Sequence, residues 1–371
     1  MKILLYTDLT ISPDQLFWHR DLGLLTKAFR ELGHEAYLVV HNSDNSLSII
    51  KHPTSKIPEE PVLWASPSQV RDKEWWKNHH PDLVILGLWT RPKYDPVRLA
   101  ALSATPNVIE RADSDGMRTA SCGLLTYAKR RFDYFRDRTY QWPSLISIPV
   151  SIFYSFVSII ATPWIETRLA RTLKLLPAVA VETPHATALW KSLATRLGVD
   201  PSKIRCVPHP IQTDIFKFDP AIPKKNQIIS VGRWESYQKN FPLLLKTLRY
   251  FLDKNPSWTA LVIGSGLTAK SHHLRITFFS PLSPTDLARY MQESKIFLFS
   301  SRYESFGLAS AEACACGCAT LDPKSLLDFI SSTKYSSNNF SISDTYPCFK
   351  AVHGIHTFDP RHIAENFLNL I

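Results

Sequence analysis

Two glutamates, Glu304 and Glu312, lie in a segment whose pattern predicts a strand, a turn and a helix. The apolar run 296–301 predicts a buried strand, and the alanine-rich stretch 308–316 predicts the helix. The first glutamate then lies on the turn, where the unpaired backbone N–H groups of a helix start attract an anion. The second lies further along the helix, where its carboxylate can accept hydrogen bonds from a ribose diol. Together they indicate a site for a nucleotide-linked sugar.

Two basic residues, Arg233 and Lys239, follow a second predicted strand that ends at Gly232. In isolation, charges on such a loop are best interpreted as solvated. Combined with the segment around Glu304, they favour a diphosphate site, because an arginine fork and a lysine point charge match that group. Fixed cations also stabilise the negative charge that grows on a leaving nucleoside diphosphate.

Both segments resemble those of one enzyme family. Glu304-x7-Glu312, with Phe-Gly-Leu at 306–308, resembles the signature of the family 4 ("group 1") retaining glycosyltransferases. The stretch 230–241 resembles that family's Gly-Arg…Lys-Asn loop. The two segments occur in the family's order and at about its spacing, and the likeness is strong over roughly 207–317. It implies a retaining glycosyltransferase of hexosyltransferase type that takes a nucleoside-diphosphate sugar as donor.

The resemblance also implies a role for each residue. The arginine and lysine hold the diphosphate with backbone N–H groups of the helix start, Glu312 binds the ribose, and Glu304 faces the donor sugar. The predicted site residues are: for the diphosphate, Arg233, Lys239, Phe306, Gly307 and Leu308; for the ribose, Glu312; near the base, Phe278, Phe279 and Ser280; on the catalytic side, Glu304, Asp113 and Asp115. Enzymes of this kind usually need no bound metal or cofactor, because the basic side chains neutralise the leaving group.

The aspartates Asp113 and Asp115 follow a predicted strand at 107–110, where relatives often carry a histidine that contacts the donor sugar. Either one could orient the sugar or the acceptor hydroxyl. The alternative is an aspartate-rich turn with Gly116 at positive φ. Asp-Ser-Asp matches a metal-binding motif formally, and we interpret that match as coincidental.

Besides the histidine missing near Asp113, the chain departs from the family in two further places. Residues 8–13 replace a Gly-Gly loop after the first strand, and 318–324 replace a loop that usually ends in a glycine pair. These changes keep a second hypothesis open, namely a non-catalytic nucleotide-sugar-binding or membrane-docking protein of the same fold. A nucleotide-sugar epimerase is a third, against which the Gly-Arg…Lys-Asn loop argues.

The length of 371 residues predicts two domains. Strands alternating with helices predict mostly parallel sheets with helices on both faces, and the resemblance implies two doubly wound (Rossmann-like) domains facing across a cleft, the GT-B architecture. The proline-rich stretch 206–216 predicts the crossover, which we place at Phe218. Residues 1–218 then form the acceptor-binding domain and 219–371 the nucleotide-sugar-binding domain. Predicted strands are 3–6, 35–40, 82–87, 107–110, 178–183, 227–231, 260–264, 274–279 and 296–301; predicted helices are 13–32, 186–197, 242–252, 283–291 and 308–316.

Composition restricts the partners and the compartment. A net charge of +10 favours an acidic partner, such as a nucleotide sugar or an anionic lipid surface, and no nucleic-acid motif accompanies it. The cysteines at 314, 316 and 318 lack a second pair of zinc-binding spacing, so we interpret them as small packing residues. The early strand argues against a secretory signal, which favours the cytoplasm.

The segment 145–164 contains no charged residue, and basic residues precede and follow it. Three interpretations remain open: a membrane-spanning helix, a hydrophobic hairpin that docks peripherally on an anionic membrane, and a buried helix of the first domain. Docking at the inner face of the membrane would suit a lipid-linked acceptor, alongside a saccharide acceptor, and a role in polysaccharide or glycolipid synthesis.

Overall fold

The computed structural model describes residues 1–8, 21–41, 61–112, 114–117, 119, 122–267, 273–331 and 358–371. By its internal packing the chain divides into two compact units. The first comprises Met1–Tyr127, Ile159–Gln212 and His356–Ile371, and the second comprises Ala128–Ser158 and Thr213–Ile355. The sequence predicts one cut after residue 218, whereas this division is interleaved, with 128–158 assigned to the later unit.

Twelve strands occur in the described residues and form two parallel sheets. They are β1 (Lys2–Thr7), β2 (Glu35–His41), β3 (Val62–Ala65), β4 (Leu83–Gly87), β5 (Val108–Ala112), β6 (Ala178–Val181), β7 (Ile204–Cys206), β8 (Lys225–Arg233), β9 (Thr259–Ser265), β10 (Ile276–Phe279), β11 (Ser294–Leu298) and β12 (Ala319–Leu321). The first unit holds seven in the order β3-β2-β1-β4-β5-β6-β7, and the second holds five in the order β10-β9-β8-β11-β12.

Helices connect these strands. Those described are α1 (Leu22–Glu31), α2 (Lys73–His79), α3 (Asp95–Leu102), α4 (Leu124–Arg138), α5 (Ser144–Ile160), α6 (Thr162–Leu175), α7 (Pro184–Arg196), α8 (Phe241–Lys254), α9 (Pro284–Glu293), α10 (Leu308–Ala315), α11 (Pro323–Ser331) and α12 (Pro360–Leu368). The prediction of two doubly wound α/β domains is therefore confirmed.

The first strand shows why the sheet of the first unit is buried on both sides. Successive side chains of β1 alternate between two apolar clusters. Leu4 belongs to the cluster that contains Trp190, and Leu5 belongs to the cluster that contains Phe29 of α1 and Phe367 of α12. A strand with both faces covered needs a continuous apolar run, and this is typical of parallel sheets with helices on each side.

The second unit has its topological switch point at β8. From β8 the chain adds β9 and β10 on one side and then crosses to add β11 and β12 on the other. Ligands of such sheets bind outside the carboxyl ends of the strands at this point. The loops that follow β8 and β11 are therefore the expected location of a site.

Three short strands escape the sequence patterns: β3, β7 and β12 have only three or four residues each. All three lie at a sheet edge, where one neighbouring strand suffices to define them. The predicted helix 13–32 is described from α1 onwards, and its first part lies outside the described residues.

No single helix in the described parts of the chain is long and apolar enough to cross a bilayer. Helices α5 and α6 meet such a criterion only as a pair, bent by 63° at the break between them.

Glycines allow β8 and β9 to approach closely beside the switch point. Gly264 has φ of 141°, and a Cβ placed there would lie 1.8 Å from the carbonyl oxygen of Gly232. The indole of Trp234 covers this contact and donates a hydrogen bond to the Ile263 carbonyl at 3.0 Å. Gly264, the first glycine of the Gly-Ser-Gly sequence at 264–266, thus has a steric role.

We expect Gly264→Ala to lower the free energy of unfolding by about 3 kcal/mol or more, because it adds a backbone clash to a strained φ. Gly33→Ala is the matched control. Gly33 has φ of +85° with no atom within 4 Å of the added Cβ, so only strain of about 1–2 kcal/mol applies. Urea unfolding followed by tryptophan fluorescence measures both, and equal effects would show that the clash is relieved by backbone shifts.

Candidate functional site

Several hydrogen bonds join the loop after β8 to the loop after β11. The hydroxyl of Ser300 donates to the Lys239 carbonyl at 2.7 Å, and the Arg302 amide donates to the Gln238 carbonyl at 2.8 Å. The amide group of Gln238 also donates to the carbonyl of Tyr303 at 2.9 Å. The two segments that contain Lys239 and Glu304 therefore form one surface at the carboxyl end of the sheet.

An ion pair lies at the centre of this surface. Lys239 Nζ is 2.6 Å from Glu304 Oε1, and the side chains are 19% and 27% exposed. Because the pair is only partly solvated, its attraction is screened less than that of a surface pair. Two residues far apart in the sequence are thus in contact, with a cation and a carboxylate both facing partly into solvent.

Helix α10 starts beside this pair. Its N-terminal cap is Gly307 at φ 81°, a left-handed conformation that glycine adopts without strain. The carbonyl of Gly307 accepts from the Ser310 amide at 2.9 Å. The start of a helix carries partial positive charge, so Phe306, Gly307 and Leu308 lie where an anion is expected from the sequence.

The remaining predicted residues of this unit lie at different distances from the pair. Glu312 belongs to α10 and is 4% exposed, while Arg233 ends β8 with an exposed side chain. Phe278 and Phe279 end the edge strand β10, two strands from β8, which is about 10 Å at the usual spacing. Ser280 follows them and is exposed.

The aspartates of the predicted catalytic side belong to the first unit. Asp113 lies outside the described residues. Asp115 accepts a hydrogen bond from the Met117 amide at 3.1 Å, and Gly116 between them has φ 79°. The turn with a left-handed glycine is therefore present, and the proposed role of Asp115 at the sugar stays a prediction.

The two segments that depart from the family, 8–13 and 318–324, are described to different extents. Of residues 8–13, only Asp8 is described. Residues 318–324 form β12 and the start of α11, where Asp322 Oδ1 accepts a hydrogen bond from the Ser325 amide at 2.6 Å.

Burial raises the pKa of the Cys316 and Cys318 thiols to about 12. In the part of the chain that the structure describes, no cluster of three or more His, Cys, Asp or Glu side chains could hold a metal ion.

Helix α4 holds both site loops, which sequence reasoning did not anticipate. Asp137 Oδ1 accepts hydrogen bonds from the Ser236 hydroxyl at 2.8 Å and from the Gln238 amide at 3.0 Å. The guanidinium of Arg130 lies 3.6 Å from the ring centroid of Tyr303. One helix therefore fixes the residue before Lys239 and the residue before Glu304.

A tyrosine lies at the centre of this contact. The Tyr237 hydroxyl donates to Asp133 Oδ1 at 3.4 Å, and the guanidinium of Arg302 lies 4.2 Å from its ring centroid. Burial raises the pKa of Tyr237 and of Asp133, and it raises the pKa of Tyr303 to about 12, so both phenols stay neutral. The available signal in the sequence was the spacing of Asp133 and Asp137, which puts two carboxylates on one helix face.

Comparison with known proteins gives a family match over part of the second unit. Residues 212–322 match the family described as "Glycosyl transferases group 1". A GDP-mannose:cellobiosyl-diphosphopolyprenol alpha-mannosyltransferase of Xanthomonas campestris is 25% identical over 187 residues, which are 47% of this chain and 48% of that protein. A D-inositol 3-phosphate glycosyltransferase of Mycobacterium bovis is 29% identical over 138 residues, 32% of this chain and 29% of that protein. The aligned regions thus span about half or less of these curated relatives.

Solved structures support the fold over the whole chain. The structure of Anabaena HepE in complex with UDP and glucose has a TM-score of 0.57 at 12% identity, covering 100% of this chain and 98% of that one. Sucrose-phosphate synthase of Thermosynechococcus elongatus has a TM-score of 0.52 at 14% identity, covering 100% and 93%. The chain has the GT-B fold that the sequence resemblance implied.

We expect Asp137→Ala to loosen the site loops, because each lost hydrogen bond to a charged acceptor contributes about 1.5–3 kcal/mol. Hydrogen exchange of the Gln238 amide should accelerate at least tenfold. Lys129→Ala, an exposed change on the same helix, should leave it unaltered, and Asp137→Asn should give an intermediate rate because its amide oxygen still accepts. Unchanged exchange in Asp137→Ala would show that the contacts between the two loops suffice.

Proposed function

We propose that this protein is a retaining glycosyltransferase of hexosyltransferase type. It transfers a sugar from a nucleoside-diphosphate sugar to a saccharide or lipid-linked acceptor, without a bound metal or cofactor. The observation that carries the proposal is the Lys239–Glu304 pair at 2.6 Å. It lies beside the start of α10, at the switch point of the sheet, within the segment that matches the group 1 family.

The donor's diphosphate has a natural place in this arrangement. Lys239 and Arg233 supply the cations, and the helix start at Phe306, Gly307 and Leu308 supplies backbone N–H groups. Glu304 balances the lysine charge in the structure. A diphosphate that pairs with the lysine leaves that carboxylate to accept hydrogen bonds from the sugar hydroxyls.

The rest of the donor extends from this point. Glu312 accepts from the ribose hydroxyls, and the base lies towards Phe278, Phe279 and Ser280. In the first unit, Asp113 or Asp115 orients the sugar or the acceptor hydroxyl.

The transfer step needs no side-chain nucleophile. The bond between the anomeric carbon and the diphosphate oxygen breaks, and the acceptor oxygen bonds to the same face of the sugar. The acceptor's proton passes to the departing diphosphate, and the fixed cations stabilise the charge that remains on it. This route conserves the anomeric configuration.

The acceptor and the location complete the proposal. The net charge of +10 favours a peripheral contact with an anionic membrane at its cytoplasmic face, which would suit a lipid-linked acceptor and a role in polysaccharide synthesis. A non-catalytic nucleotide-sugar-binding protein would share the donor site, and an epimerase would release an altered donor, so both differ from a transferase in their products.

We expect one nucleoside diphosphate and its sugar to raise the melting temperature, because a ligand of the native state stabilises it by mass action. Arg233→Ala and Lys239→Ala should each abolish the shift. Arg249→Ala and Lys246→Ala are matched controls, since both residues are exposed on α8 and should retain it. A well-folded protein with no shift for UDP, GDP, ADP or their sugars would contradict the donor site.

We expect Glu304→Gln to lower kcat by about 10²–10³-fold, the usual cost of losing one electrostatic contact to the transition state. Its diphosphate affinity should stay within a fewfold of the wild type, since the cations remain. NMR of donor and acceptor mixtures measures transfer and the anomeric configuration of the product. A product of inverted configuration, or full activity of the variant, would contradict the proposed mechanism.

A further inference from the structure

Helix α5 carries its polar side chains inward and its apolar side chains outward. Its buried positions recur at intervals of three and four residues, which places them on one face: Ser147, Ser151, Ser155 and Ser158. Its outward face is apolar and between 54% and 91% exposed: Leu145, Ile146, Ile152, Phe153, Phe156 and Ile160. A surface helix of a globular protein normally has the reverse arrangement.

The buried serines fix this orientation. The hydroxyl of Ser151 donates to the Ser147 carbonyl at 2.7 Å, and that of Ser155 donates to the Ser151 carbonyl at 2.5 Å. Because the hydroxyls of Ser151 and Ser155 are satisfied within the helix, burying these two leaves them no unmet hydrogen bond. The small size of the serines lets the end of α4 approach, with Oγ1 of Thr139, the residue after α4, 3.4 Å from Ser151 Oγ.

The charges that flank α5 in the sequence match a negatively charged surface. No charged residue occurs between Arg138 and Glu166. Exposed cations precede and follow this interval, at Lys129, Arg138, Arg171 and Lys174. Exposed indoles flank the helix at Trp142 and Trp164, a residue type that favours the boundary between headgroups and acyl chains.

We propose that the outward face of α5 docks on an anionic lipid bilayer. The helix has 17 residues, about 25 Å at 1.5 Å per residue, which is shorter than a hydrocarbon core of about 30 Å. It therefore lies in the interface, with its apolar side chains among the acyl chains and the flanking cations at the headgroups. The inference deepens the proposed function, on which it rests for its consequence that the acceptor is lipid-linked.

A second copy of the chain is the main alternative occupant. Two copies that each carry a net charge of +10 repel one another, whereas the same charge attracts an anionic leaflet. The charge thus favours lipid over self-association.

Vesicle sedimentation of the full chain tests the proposal, with phosphatidylcholine vesicles compared to vesicles that contain 30% phosphatidylglycerol. We expect binding to the anionic vesicles and at least tenfold weaker partition for Leu145→Glu and for Phe156→Glu. Leu274→Glu makes the same change at a fully exposed leucine outside α5 and should bind like the wild type. High salt should weaken binding, since it screens the headgroup attraction.

Three outcomes would overturn the proposal: no binding by the wild type, equal binding by the α5 variants and the control, or a concentration-dependent dimer in light scattering that Leu145→Glu dissociates. The last would assign this face to a second copy. Melting shifts with nucleotides, measured on the same variants without vesicles, report the donor site separately. Loss of vesicle binding with intact nucleotide shifts, or the converse, therefore distinguishes failure of the docking surface from failure of the proposed function.

Discussion

The ion pair between Lys239 and Glu304 joins two loops that leave neighbouring parallel strands, and the candidate site depends on it. Parallel strands bring their carboxyl ends to one edge, so the loops are adjacent, but adjacency does not orient a lysine. Hydrogen bonds to backbone carbonyls supply the orientation: the Lys239 carbonyl accepts from the Ser300 hydroxyl, and the Gln238 carbonyl accepts from the Arg302 amide. These uncharged hydrogen bonds hold the two loops together, and an anion that bound to Lys239 would not need to break them.

Helix α4 adds a constraint from outside the sheet. Asp137 bonds the loop after β8, and Arg130 stacks on Tyr303 of the loop after β11. These are two independent attachments, one electrostatic and one between a cation and an aromatic ring, and both come from the same 15-residue helix. A displacement of α4 would therefore alter both loops together.

The sequence predicted nine of the twelve described strands, because parallel strands buried on both faces leave long apolar runs, as in β1 and β11. It missed β3, β7 and β12, which are edge strands of three or four residues, whereas the equally short β6 and β10 lie in the longer runs 178–183 and 274–279. The sequence predicted that Glu304 and Lys239 each follow the end of a strand, and the carboxyl ends of parallel strands lie at one edge of the sheet. It could not find the role of Asp137, because that role depends on packing across about 100 residues of chain, and no local pattern encodes it.

The packing of α5 on α4 explains why α5 has serines where a globular protein would have leucines. Helix α4 contacts the site loops, and α5 packs against α4. Small side chains at Ser147 and Ser151 let α5 approach closely without displacing α4 from the loops. Phe135 and Tyr154 then stack at 5.2 Å between ring centroids beside that seam. Because serines occupy the face of α5 that is buried, its large apolar side chains lie on the exposed face. The exposed apolar face and the ordered loops are thus two consequences of one packing arrangement, which ties the proposed lipid-docking face to the candidate site.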